Sequence, residues 1–94
     1  MAFQIVHHKL EDYDKWKGVF DGHAPTRKEF GSKGAQVLRS ADDPNEVFVI
    51  TEWDNTDDAR RFAESPGLRE VMQRAGVTGR PDLHFVEEVD RQSA

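Results

Sequence analysis

Residues Glu46 to Trp53, EVFVITEW, limit the fold more than any other stretch of the chain. In an extended strand, alternate side chains point to opposite faces. Here one set is Val47, Val49, Thr51 and Trp53 and the other includes Phe48 and Ile50, so both faces are apolar. Such a strand belongs in the middle of a sheet with cover on each side. Asp42-Asp43-Pro44-Asn45 just before it is a dense turn signal. Gly34 to Ala41, with Ala35/Val37/Arg39 set against Gln36/Leu38/Ser40, reads as its hairpin partner.

Two helical stretches supply cover for one face. Between Asp12 and Phe30, the residues Tyr13, Trp16, Phe20, His23, Arg27 and Phe30 recur at alternating steps of three and four, which places them along one side of a helix. Asp12 suits the N-cap. Pro25 lacks an amide proton and would clash with the carbonyl of Asp21, so a kink or short break is expected around Gly22 to Ala24. The second helix opens at Asn55 as cap, with Asp57 and Asp58 against the positive end of its dipole and Ala59, Phe62 and Ala63 facing inward. Ser65-Pro66 is expected to restart it as a cap and first-turn proline, with Leu68, Val71, Met72 and Ala75 continuing the stripe to Gly76.

Phe3 to Lys9 alternates Phe3/Ile5/His7 with Gln4/Val6/His8 and reads as the first strand. Gly76 to Pro81 reads as a loop. Asp82 to Val89 closes the chain as a fourth strand, with Leu83/Phe85/Val89 on one side and His84/Val86 on the other. The order is βαββαβ, an α+β arrangement in which two helices cover one face of a four-stranded antiparallel sheet. The other face of the third strand is left bare, and a second copy of the chain is its simplest cover, predicting a homodimer.

Size and charge agree with this. Residues 1–94 make one domain whose high surface-to-volume ratio leaves a small core, which association would enlarge. At net charge −5, with acids and bases interspersed, no basic stripe exists for phosphates, and nucleic acid is not an expected partner. No apolar run is long enough for a bilayer and the start has no signal-peptide pattern, so no membrane association and a cytoplasmic location are expected. The absence of cysteine excludes disulfides, thiolate nucleophiles, zinc ribbons and iron–sulfur clusters.

Candidate chemistry centres on the first helix. His23 and Arg27 are four residues apart and continue an aromatic, inward row, so they are the candidate catalytic pair. An inward guanidinium needs an anion, since an unpaired buried charge costs about 3–5 kcal/mol. Two partners satisfy that need: a ligand carboxylate or enolate, or an internal glutamate such as Glu52, Glu87 or Glu88. Tyr13, Trp16 and Trp53 are candidates for the walls of a ligand pocket, or alternatively for the core. His8 and His84 each reach one sheet face, and His8 joins the candidate ligand-binding set. No metal site is expected, because the adjacent His7 and His8 point to opposite faces and no paired-ligand motif occurs. Ser32, Ser40 and Ser65 lack any nucleophile-elbow context. No phosphate-binding loop is present, and no cofactor is implied.

The segments DYDKWKGVFDGHAPTR and ITEWDNTDDARRFAESP, with the strand spacing around them, resemble the dimeric α+β-barrel superfamily. Within it they are similar to the antibiotic-biosynthesis-monooxygenase-like and cyclase-like small proteins. The resemblance spans nearly the whole chain. It implies a ferredoxin-like fold and a homodimer, and chemistry drawn from a varied set: cofactor-independent oxygenases, haem-degrading enzymes, lactone isomerases and polyketide cyclases. Many monooxygenase-like members carry a histidine in the second helix where this chain has Arg61-Phe62-Ala63-Glu64, and the nearer likeness, through His23 and Arg27, is to cyclase-like members. The expected function is a small homodimeric, enzyme-like protein that binds a small aromatic or polyketide-like anion between sheet and helices, with cofactor-independent monooxygenase or cyclase chemistry. The alternative is a non-catalytic ligand-binding or stress-associated dimer.

Overall fold

The structure is a computed structural model describing residues 1–94. Strand β1 (Ala2–Leu10) leads to helices α1 (Tyr13–Gly22) and α2 (Ala24–Glu29). Strands β2 (Gly34–Arg39) and β3 (Glu46–Trp53), helices α3 (Thr56–Ala63) and α4 (Leu68–Arg74), and strand β4 (Val77–Glu87) follow. The sheet runs β2-β3-β1-β4 with every pairing antiparallel, the ferredoxin-like order. β3 is central, as its two-sided pattern requires.

Each predicted helix is a pair of shorter ones. Asp12 caps α1 by accepting from the Lys15 amide at 3.0 Å, and Asn45, from the turn before β3, accepts from the Tyr13 amide at 2.8 Å. The break falls at His23, whose amide is shared between the carbonyls of Val19 and Phe20 at 3.1 and 3.2 Å. Pro25 then lies in the first turn of α2, where no amide proton is needed. Asn55 caps α3 by accepting from the Asp58 amide at 2.8 Å.

Four boundaries differ from expectation. The Ser65 hydroxyl turns back to the Phe62 carbonyl at 2.7 Å and closes α3, so it does not cap α4. Gly67, at φ +87°, occupies that N-cap, a left-handed conformation that glycine takes without strain. The expected loop from Gly76 to Pro81 is instead the first half of β4, pairing Val77 with Leu10 and Thr78 with Lys9. The ladder then skips from Thr78 to Asp82 while β1 moves only from Lys9 to His7, which leaves Gly79, Arg80 and Pro81 bulged opposite His8. β4 is an edge strand, so a proline within it breaks no outer ladder. At the far end β4 stops at Glu87, and Val89, expected within the strand, is 96% exposed. β2 likewise ends at Arg39, short of Ala41.

The sheet's inner face carries Gln4, Val6, His8, Val47, Val49, Thr51 and Trp53, all buried. Val6, Leu10, Trp16, Val47, Val49 and Ala75 make one core cluster. Ala2, Trp53, Ala59 and Phe62 make a second. On the other face, register aligns Leu38 with Phe48 and Phe3 with Val86, with Ile5 and Ile50 paired between them. Leu38, Phe48 and Val86 are 44%, 36% and 37% exposed, so no element of the chain covers this face.

Candidate functional site

Between the two core clusters the helices stand off the sheet and leave a cavity of about 90 Å³. A single water needs roughly 10–15 Å³ on this kind of measure, so the space holds more than a packing defect. Its walls come from the inner faces of β1, β3 and β4, the inward side of α1, the α1–α2 junction, α3 and α4. Most of the lining is apolar, and the polar groups are Gln4, His8, His23, Arg27 and Thr51. None of the 18 lining residues is an acid.

Arg27 is buried, at 8% exposure. α2 carries it back across the end of α1, where its guanidinium donates to the Phe20 carbonyl at 2.9 Å and lies 3.8 Å from the centre of the Phe20 ring. The internal glutamates weighed as partners do not reach it, and no carboxylate is within ion-pairing distance. Burial lowers the guanidinium's pKa, against a weaker opposing pull from Asp21. Arginine nevertheless keeps its charge in proteins. The cation is therefore held by one carbonyl and one aromatic face, with donors to spare.

His23 forms the hinge between α1 and α2 and leans on the Phe62 ring at 6.0 Å. Its pKa is lowered, first by burial and then by the nearby charges of Arg27 and Arg74. His8, on β1, is pushed down to about 4, first by burial and then by His7. His8 Nδ1 and His23 Nε2 are buried without a hydrogen-bond partner. Both imidazoles are thus kept neutral near pH 7, each with an uncommitted nitrogen.

Of the residues singled out from the sequence, His8, Trp16, His23 and Arg27 line one cavity together. Tyr13 and Trp53 do not. Tyr13 packs at the outer end of α1 beneath the Arg39 guanidinium, 4.6 Å from its ring centre. Trp53 is fully buried in the second core cluster, its indole N–H donating to Thr51 Oγ1 at 2.8 Å. His84 points to the opposite sheet face, aligned with Ile5. Gln4 and Thr51 were not singled out. Their signal was a polar residue within the inward set of an apolar strand, and they hydrogen-bond to each other at 3.5 Å on the cavity floor. No cluster of metal-ligating side chains is present, and no helix is long and apolar enough to cross a membrane.

The sequence profile of the antibiotic biosynthesis monooxygenase family matches residues 8–74. No curated protein sequence matches the chain significantly. Among solved structures, SnoaB from Streptomyces nogalater, described as a cofactor-independent oxygenase, aligns at TM-score 0.81 and 18% identity, over 99% of this chain and 97% of its own. A candidate antibiotic biosynthesis monooxygenase from Bordetella bronchiseptica aligns at TM-score 0.81 and 16% identity, over 94% and 96%. A conserved protein from Methanosarcina mazei Go1 aligns at TM-score 0.72 and 14% identity, over 94% and 93%. At these identities the likeness is one of fold.

Proposed function

The chain belongs to the antibiotic biosynthesis monooxygenase family, and from that premise we propose that it is a small homodimeric enzyme acting on an aromatic or polyketide-like anion held in the cavity between helices and sheet. The observation that carries this reading is Arg27: a buried guanidinium with no carboxylate, beside the neutral His23 and sharing a cavity with the neutral His8, in a wall that contains no acid. A ligand oxyanion completes that set, because leaving the charge unpaired costs several kcal/mol.

His23 is the base. It is neutral, it sits beside Arg27 on the α1–α2 hinge, and its free Nε2 can accept a proton from an acidic C–H or O–H of the ligand. Arg27 holds the enolate oxygen that results. His8, with a lower pKa, serves as a hydrogen-bonding wall. For an activated CH2 the balance closes with dioxygen alone. The proton goes to His23, the carbanion passes an electron to O2, and recombination forms a C–O bond. Protonation gives the hydroperoxide, and loss of water leaves C=O, so that CH2 + O2 becomes C=O + H2O. The substrate carbanion is the reductant, and no resident redox group enters this sequence. Trp16 and Phe20, stacked at 4.9 Å, supply a flat wall for the ring system.

The test is ligand titration with small aromatic acids combined with oxygen uptake on activated phenolic ketones. Arg27→Ala should weaken binding by about tenfold or more, and Arg27→Lys should restore part of it, because a point charge replaces a planar fork. His23→Gln should bind nearly as well but consume oxygen about 100-fold more slowly. Binding unchanged in Arg27→Ala would overturn the assignment of the anion site. Intact binding with no oxygen consumption across the phenolic series would favour a non-catalytic ligand-binding dimer.

A further inference from the structure

The cavity opens into a wider groove of about 470 Å³ between α4 and the start of β4, and Ala63, Leu68, Met72, Val77 and Leu83 line both spaces. Two guanidiniums, Arg69 on α4 and Arg80 in the β4 bulge, also line the groove, and no acid does. In a chain with 18 acids and 13 lysines and arginines, this is an unusual local balance. Most other cations are occupied: Lys9, Lys15, Lys17, Lys33, Arg61 and Arg91 pair with carboxylates. Arg39 and Arg60 lie over aromatic rings. Arg69 and Arg80 have no such partner. The bulge is what brings Arg80 here. Three residues of β4 are spent against the single residue His8, with Gly79 at φ +69°, so the backbone arcs away from the ladder beside the cavity mouth.

We propose that this groove is the seat of a carboxylate tail on the ligand, so that the substrate class is an elongated aromatic acid. Its ring system enters the cavity toward His23 and Arg27, and its carboxylate stays outside between Arg69 and Arg80. The proposal rests on the reading of the cavity as a ligand site. The two spaces support the division: the inner one has a mostly apolar lining suited to a ring system, and the outer one has room for a chain with a solvated charged end.

A matched pair of probes, naphthylbutanoic acid and its methyl ester, tests this on the full chain, with quenching of the cavity-lining Trp16 as readout. The acid should bind about tenfold more tightly than the ester, as expected for charge-assisted hydrogen bonds to a carboxylate. That preference should shrink with added salt. It should vanish in the R69Q/R80Q double variant, with the ester's affinity unchanged, and should persist in Arg27→Met, which removes the inner charge. Equal binding of acid and ester would overturn the tail site while leaving the cavity reading intact. So would a preference that survives R69Q/R80Q and disappears in Arg27→Met, which would put the carboxylate inside. If neither probe binds and Trp16 is unquenched throughout, the ligand-site reading of the cavity falls with it.

Discussion

His8 and His23 share a cavity and burial lowers the pKa of both, and His8 gives the sharper prediction. Its folded pKa of about 4 lies below its ordinary 6.5, so the unfolded chain takes up the proton first as pH falls. Its contribution to stability is complete above pH 6.5 and is lost on acidification toward pH 4. A shift of this size corresponds to roughly 3 kcal/mol. Denaturant melts across that window should show a falling midpoint, and His8→Gln should flatten the fall. Arg27 gives a second prediction. Because no carboxylate waits behind it, Arg27→Met should cost no more than about 2 kcal/mol, the sum of a ring contact and one backbone hydrogen bond. A loss of about 3–5 kcal/mol is the signature of a broken buried ion pair, and a thermal melt would reveal it.

Among the elements, α3 and α4 depend on single residues at their ends and on one aromatic side chain. Asn55→Ala should remove the α3 cap at a cost of about 1 kcal/mol. Gly67→Ala should cost about 1–2 kcal/mol by forcing a side chain into the left-handed region, even though open space surrounds the position. Phe62 joins the two halves of the helical layer, with Trp53 and Phe30 both at 5.5 Å and His23 at 6.0 Å. Phe62→Ala should therefore cost about 3–5 kcal/mol and also loosen the hinge that positions His23. Urea unfolding of the three variants checks the ranking, with Phe62→Ala the most damaging.

For the whole molecule, the consequence of a one-sided helical layer is an apolar sheet face left in water. Phe3, Ile5, Leu38, Phe48, Ile50 and Val86 lie on it, and His7 stacks on Phe48 with ring centres 4.5 Å apart. At its edge Glu46 accepts from His7 at 3.1 Å and pairs with Lys9 at 2.9 Å. A second copy packed on this face would bury the patch. Light scattering should then give a mass near twice 10.7 kDa, and Phe48→Glu should return it to 10.7 kDa and lower the melting temperature. A wild-type mass of 10.7 kDa at micromolar concentration would rule this association out.

The sequence by itself determined the order of elements, the central place of β3, the break before Pro25 and the inward face of the first helix. These follow from periods of two and three to four residues and from capping and proline chemistry, all of which act over a few neighbouring residues. The gathering of His8, Trp16, His23 and Arg27 around one space was decided only by tertiary structure, because β1 and the α1–α2 hinge meet through packing that no local pattern encodes. The same holds for Arg27, whose choice between a glutamate and an open cavity depended on where distant carboxylates came to rest. Trp53 was ambiguous for a related reason: its strand-end position allowed a pocket wall, and the burial of its whole ring against Phe62 made it core. The stretch Gly76 to Pro81 carried glycine and proline, the residues of a loop. It became strand because an edge position and a bulge opposite His8 tolerate both, and that is a property of the assembled sheet.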